Sequence, residues 1–209
     1  MQLNEKGFYL NDLNSIMNKK NEIIFIADEV VTGFGRLGHF FSSEEVFGVV
    51  PDIITCAKGI TSGYLPLGAV LFSDKLIGDL KHDSSLFFHG YTYSGHPACC
   101  AAALKNIEIL KRDKILEHVR EIEPYFFEKL NTLYELPIVG DIRGKGLMAG
   151  IECVINKNSK EALILDKAIG SRIDEESIKL GLIIRPLYHI CVLSPALIIT
   201  KNQIDDLTE

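Results

Sequence analysis

Two short, uninterrupted apolar runs, each halted by charge, constrain this 209-residue chain more than any other feature. Ile23-Ile24-Phe25-Ile26-Ala27 stops at Asp28-Glu29, and Ile53-Ile54-Thr55-Cys56-Ala57 stops at Lys58. Continuous β-rich runs of this length suit strands buried on both faces of a parallel sheet. Leu67-Gly68-Ala69-Val70-Leu71-Phe72 supplies a third. Three such strands predict an α/β fold. With 47% hydrophobic and 24% charged residues the composition is that of a globular protein, which excludes disorder, collagen and coiled coil.

The remaining elements follow from spacing. Ser42-Ser43-Glu44-Glu45 reads as a short helix start with a serine cap. From Pro97 to Leu110, Ala98, Ala101, Ala102, Ala103, Leu104, Ile107 and Leu110 recur at helical spacing, with Pro97 in the permissive first turn. A second helical pattern covers Ile115 to Tyr134. After Pro137 the texture changes, and the glycines of Val139-Gly140-Asp141-Ile142-Arg143-Gly144-Lys145-Gly146-Leu147 suggest a tight β turn. Residues 147–154 then read as strand, 163–180 as helix with Gly181 as its stop, and 182–185 and 191–193 as strands. The expected division is therefore 1–136, and 137–209 as a smaller α+β domain. Thr200-Lys201-Asn202-Gln203 is a capping box, but only six residues follow it, so a stable helix is not expected there.

The formal charge of −6 and a pI of about 5.6 offer no basic surface for nucleic acid. No apolar run approaches the roughly 20 residues of a membrane-spanning helix, and Met1 to Gly7 lacks the apolar core of a signal peptide, so the expected location is the cytoplasm. Five cysteines without a C-x-x-C pair read as free thiols. Beside Cys99 and Cys100, His96 has no second ligand pair, so no metal is expected. No G-x-S-x-G elbow supports a serine hydrolase.

Four constellations carry candidate chemistry. Asp28 and Lys58 each close a strand, the end of an open α/β sheet where ligands bind. Either alone is equally a solvated surface charge. Two opposite charges on the tips of one sheet could together hold a cationic ring and attack a carbonyl on it. Gly33-Phe34-Gly35-Arg36-Leu37-Gly38 matches the dinucleotide-binding pattern G-x-G-x-x-G, which would make the chain a nicotinamide oxidoreductase, although residues 39–50 leave little room for a crossover helix. His89-Gly90-Tyr91-Thr92-Tyr93-Ser94-Gly95-His96 places hydroxyls ahead of a helix N-terminus, an arrangement that favours an anion or simply caps the helix. Arg185 interrupts an apolar stretch and either pairs with an internal carboxylate or awaits one on a ligand.

Taken in order, Ile26-Ala27-Asp28-Glu29-Val30, Gly33-Phe34-Gly35-Arg36, Pro51-Asp52-Ile53, Ala57-Lys58-Gly59 and Thr92-Tyr93-Ser94-Gly95-His96-Pro97 resemble the class III aminotransferases. Ser62-Gly63-Tyr64-Leu65-Pro66-Leu67-Gly68-Ala69 has the texture of the ω-amino acid and amine:pyruvate transaminases. The resemblance implies a fold-type-I enzyme dependent on pyridoxal 5'-phosphate, here part of the large, mainly parallel cofactor domain plus most of the small domain. Lys58 matches the Schiff-base lysine and Asp28 the ring-nitrogen carboxylate. Val30 matches the residue packed on one ring face, and Thr92 the residue reaching the phosphate in the neighbouring subunit. Arg185 matches the arginine that binds substrate carboxylates. It further implies a homodimer, an amino donor and a keto acid, expected to be pyruvate, as substrates, and phosphate-loop and ring-stacking residues in an N-terminal half outside this sequence. A separately supplied N-terminal half, a catalytically inactive remnant, an interaction partner of an intact paralogue, and an aminomutase or decarboxylase are the alternatives within that resemblance.

Overall fold

A computed structural model of the chain describes residues 23–82, 89–158, 161–162 and 169–209. The fold is mixed α/β, as expected, in two compact units: one running to Gly35 and from His39 to Lys114, the other made of Arg36–Gly38 and Ile115–Glu209. No helix among the described residues is long and apolar enough to cross a membrane.

In the first unit, β1 (Ile26–Asp28), β2 (Ile53–Cys56) and β3 (Ala69–Phe72) form a sheet in that order. The first pairing is parallel, with Ile26 opposite Ile53 and Asp28 opposite Thr55. The second is antiparallel, so the described sheet is mixed rather than mainly parallel. Helices α1 (Ser42–Glu45), α2 (Asp74–His82) and α3 (Pro97–Arg112) complete the unit. The strands are not buried on both faces, as their apolar runs suggest: Ile26 and Val70 are 56% and 53% exposed, while Ala27 and Cys56 are buried. Among the described residues β1 and β3 are the outer strands, and an outer strand has fewer neighbours to cover it. Strand β1 also starts later than the apolar run, because Phe25 is tied to Asp52 through its N–H to the carboxylate and its carbonyl from the Asp52 N–H, both at 2.9 Å.

Helix α1 is short, as its sequence requires, but no serine caps it. The N-cap is Phe41, and the capping acceptor comes from Glu29. Strand alternation turns Ala27 inward, Asp28 outward and Glu29 inward again, to 2% exposure. There Oε1 accepts the N–H groups of Ser42 at 2.8 Å and Ser43 at 2.6 Å together with the Ser43 hydroxyl, and Oε2 accepts the Thr32 hydroxyl at 2.5 Å. Burial pushes the Glu29 carboxyl up, but these hydrogen bonds outweigh it and hold the group below its ordinary value. A folded-state pKa below the unfolded one stabilises above the unfolded value and is lost as pH falls through the folded value. We expect Glu29→Gln to destabilise the first unit by about 1–3 kcal/mol near pH 7 and to flatten its acid-side stability loss, as measured by denaturant titration at a series of pH values; an unchanged acid limb would remove this role.

The second unit is built on α4 (Ile115–Thr132), whose Val119, Ile122, Phe126 and Leu130 form one buried stripe. That stripe packs with Leu147, in the turn between β4 and β5, and with Ala149, Cys191 and Leu193 of a sheet formed by β4 (Val139–Lys145), β5 (Met148–Asn156), β6 (Glu161–Ala162), β7 (Arg185–Leu187) and β8 (Ile190–Leu193). The main order is β4-β5-β8-β7, with β6 also on β5. The compact unit thus starts at Ile115, ahead of the texture change at 137, because the apolar face of α4 belongs to this core. The expected tight turn joins β4 to β5, with Gly146 at φ +58°. The glycines hid β4 itself: a Cβ on Gly144 would lie 2.1 Å from the Met148 carbonyl oxygen, so the paired backbones require it.

Helix α5 (Ile169–Lys179) covers the described part of the helix expected over 163–180; residues 163–168 lie outside the described residues. Gly181 stops it at φ +90°, with Gly181 N–H on the Ile178 carbonyl and Leu182 N–H on that of Ser177, the two bonds of a Schellman cap. The strand expected over 182–185 begins only at Arg185, since Leu182 to Ile184 are unpaired, and Pro186 confines β7 to the sheet edge. All five cysteines are free thiols, four of them buried. Contrary to the sequence expectation, the capping box opens a real helix, α6 (Lys201–Thr208). Tertiary contacts supply what length does not: Ile204 is fully buried, and Asp205 Oδ1 accepts from the Tyr125 hydroxyl and the Lys129 ammonium, both at 2.6 Å. We expect Ile204→Ala to cost about 2–4 kcal/mol in denaturant unfolding of this unit and to speed amide exchange throughout α6; retained protection would mean that the helix stands on its cap alone.

Candidate active site

Because β1 and β2 are parallel, their C-terminal ends share one sheet edge. Asp28 is the last residue of β1, and Lys58 follows the end of β2 at Cys56 by two positions. Both are exposed. Asp28 Oδ1 accepts the Val30 N–H at 3.0 Å, a local turn that fixes the carboxylate, and half-buried Val30 stands beside it. Glu29, by donating its N–H to the Thr55 carbonyl at 2.8 Å, ties this turn to β2.

Lys58 opens a 3₁₀ turn, Lys58–Ile60, at φ +42°, a left-handed conformation that disfavours any residue with a Cβ. Its ammonium has no hydrogen bond or ion pair among the described residues. The turn is held from below and behind. A Cβ on Gly59 would lie 2.9 Å from Phe34 Cβ and 3.0 Å from the Gly33 carbonyl oxygen, so only glycine lets the turn settle on the 33–34 backbone. Thr61, 2% exposed, donates its hydroxyl to Leu65 O at 2.6 Å. From α3, Asn106 Nδ2 donates to Gly59 O at 2.8 Å and Ile60 O at 3.1 Å, while Oδ1 accepts the Ser62 hydroxyl at 2.7 Å. Cys56, the nearest thiol in sequence, is pushed up by burial and donates its S–H to the Ala69 carbonyl, which disfavours a thiolate there.

The remote dinucleotide alternative for Gly33 to Gly38 finds no support in the structure. The segment closes on itself through Phe34 N–H to Phe40 O at 2.8 Å and Gly35 N–H to His39 O at 3.0 Å, and leads only into four-residue α1, whose first N–H groups are already taken by Glu29. A pyrophosphate finds no helix N-terminus there. Arg36 instead donates to Leu147 O at 2.9 Å and Pro195 O at 2.6 Å within the second unit.

Thr92 is exposed in the turn before α3, where Ser94 N–H bonds Tyr91 O at 2.9 Å and Tyr91 N–H bonds Ser94 Oγ at 2.8 Å. No side chain caps α3 at His96. Arg185 lies in the second unit, exposed, at the start of β7 opposite Val192. It lines a cleft of about 280 Å³ with Leu182, Ile184, Val192, Pro195 and Leu207, and no carboxylate pairs with it among the described residues. The structure therefore gathers Asp28, Val30 and Lys58 on one edge, sets Thr92 in the same unit and places Arg185 in the other.

Sequence reasoning did not find Glu29 or Asn106. Alternation through residues 27 to 29 was the available signal for Glu29. For Asn106 it was the stripe Cys99, Ala103, Asn106, Leu110, which is the buried face of α3, whereas Leu104 is 70% exposed.

Comparison with known proteins identifies the family. Putrescine–pyruvate aminotransferase of Pseudomonas aeruginosa is 43% identical over 189 residues, covering 90% of this chain and 41% of that protein. A thermostable (S)-enantioselective omega-transaminase from Thermomicrobium roseum superposes with a TM-score of 0.90 at 40% identity, over 96% of this chain and 44% of that one. An amine transaminase from an uncultivated Pseudomonas species, solved in its PLP-bound form, gives a TM-score of 0.90 at 37% identity, over 95% of this chain and 45% of that one. The chain spans less than half the length of these relatives. Residues 4–209 match the profile described as Aminotransferase class-III, and the chain accordingly belongs to the class III aminotransferases, a pyridoxal-phosphate-dependent family.

Proposed function

We propose that this chain carries the reactive lysine and ring-nitrogen acid of an aminotransferase that moves an amino group from an amine or ω-amino acid to a keto acid, with pyruvate as acceptor. The observation that carries the reading is the emergence of Asp28 and Lys58 from adjacent parallel strand ends on one sheet edge. Pyruvate is supported by the name of the Pseudomonas aeruginosa relative.

The residues present fit pyridoxal phosphate. A pyridine nitrogen needs a fixed anionic acceptor, and Asp28 is held by the Val30 N–H. An aldehyde carbon needs an unpaired amine, and the Lys58 ammonium is engaged by no described group. When bound, the cofactor supplies an electron sink for the amine-bearing carbon of the substrate. Asp28 would hold the ring nitrogen in its protonated form, Val30 would pack on one ring face, and the Lys58 amine would serve as acid and base for the substrate's proton. Arg185 receives the carboxylate of the keto acid as a bidentate partner. Thr92 would reach the phosphate held by a second copy, in a homodimer. By the resemblance, the phosphate loop and the second stacking ring would be supplied by an N-terminal half outside this sequence.

Borohydride reduction in the presence of pyridoxal phosphate, with the preceding segment joined or supplied, is expected to fix the label on Lys58 in peptide mass analysis; labelling elsewhere with none at Lys58 would defeat the proposal. Asp28→Asn in the assembled enzyme is expected to keep that label and lower amine-to-pyruvate turnover by about a hundredfold or more, with a near-normal rate ruling out the role given to Asp28.

A further inference from the structure

We propose that Asn106 is the positioning residue for Lys58: its carboxamide clasps the backbone behind the lysine and holds Lys58 in the left-handed conformation from which the amine leaves the sheet edge. This rests on the reading of Lys58 as the reacting amine. Beyond the Ile60 N–H to Ala57 O bond at 3.0 Å, the backbone of the turn holds itself poorly. Thr61 N–H reaches Lys58 O at 3.3 Å and Ser62 N–H reaches Gly59 O at 3.4 Å, both long for such bonds. Two residues with a Cβ, Lys58 at φ +42° and Ser62 at φ +51°, sit in left-handed conformation at its two ends. Left to local preference the segment would relax.

Asn106 opposes that relaxation with three shorter bonds, to Gly59 O, Ile60 O and Ser62 Oγ. The orientation of its amide follows from chemistry, since two carbonyl oxygens accept only from the NH₂ end. Its position on α3 is otherwise apolar, between Ala103 and Leu110, and an amide is costly on such a face unless its hydrogen bonds are met. Every partner that meets them lies within four residues after Lys58. The side chain is thus matched to this one turn rather than to packing in general, where an apolar residue of similar volume would serve.

The test compares wild type with Asn106→Ala and with Asn106→Asp, which keeps the volume and the acceptor for Ser62 but removes the NH₂ donor. The readout is the rate of pyridoxal phosphate labelling at each lysine after borohydride, alongside amide exchange. We expect Lys58 labelling to slow about tenfold in both variants while Lys75 and Lys111 of the same unit keep their rates, and the visible absorbance of the bound cofactor to shift toward that of the free aldehyde. Amides of Gly59 to Ser62 are expected to exchange about tenfold faster with the first part of α3 still protected. Unchanged Lys58 labelling in the folded Asp variant overturns the inference, as does a uniform loss at all three lysines in that variant. If wild type itself leaves Lys58 unlabelled, the functional reading fails separately, and unchanged exchange at Gly59 to Ser62 in the variants then overturns the role of Asn106.

Discussion

The parallel pairing of β1 with β2 is the constraint on which the site depends. Only parallel strands deliver two chain ends to the same sheet edge, and the register sets Asp28 against Thr55, three residues before Lys58. A shift of one residue would exchange Asp28 with Glu29, turning the exposed carboxylate inward and the buried one out. Neighbouring acids of the same chemical type therefore serve opposite ends: one faces the edge, while the other is consumed in holding Ser42, Ser43 and Thr32.

Two charged tips in one sheet were legible because apolar runs that stop at a charge have few physical explanations. The glycine-rich Gly33 to Gly38 segment matches a phosphate-binding pattern because glycines mark close backbone approach, but here the approach is of the chain to itself, beneath Gly59, and not of the chain to a phosphate. What periodicity could not disclose was burial that depends on partners far along the chain. Leu104 looks like core and is exposed, while Asn106 looks like surface and is buried, because the face of α3 that turns inward is the one that meets the Lys58 turn, which helix spacing alone does not specify.

Similar reasoning explains the second unit. The boundary suggested by composition at residue 137 reflects a change from helix to glycine-rich strands, yet the core is indifferent to that change, and the stripe of α4 joins the sheet that follows it. Helix α6 shows the same dependence in reverse. Its eight residues would be marginal alone, and Ile204 with the Tyr125–Asp205–Lys129 cluster makes them part of the core.

Pro186 has a bearing on how the second unit behaves among other molecules. The terminal strand of an open sheet presents a ladder of unmet donors and acceptors that a foreign strand can complete, the usual beginning of sticky self-association. In β7 that ladder is three residues long and lacks the N–H of its middle rung. The strand that carries Arg185 can therefore stand exposed at the rim without serving as a template for another chain.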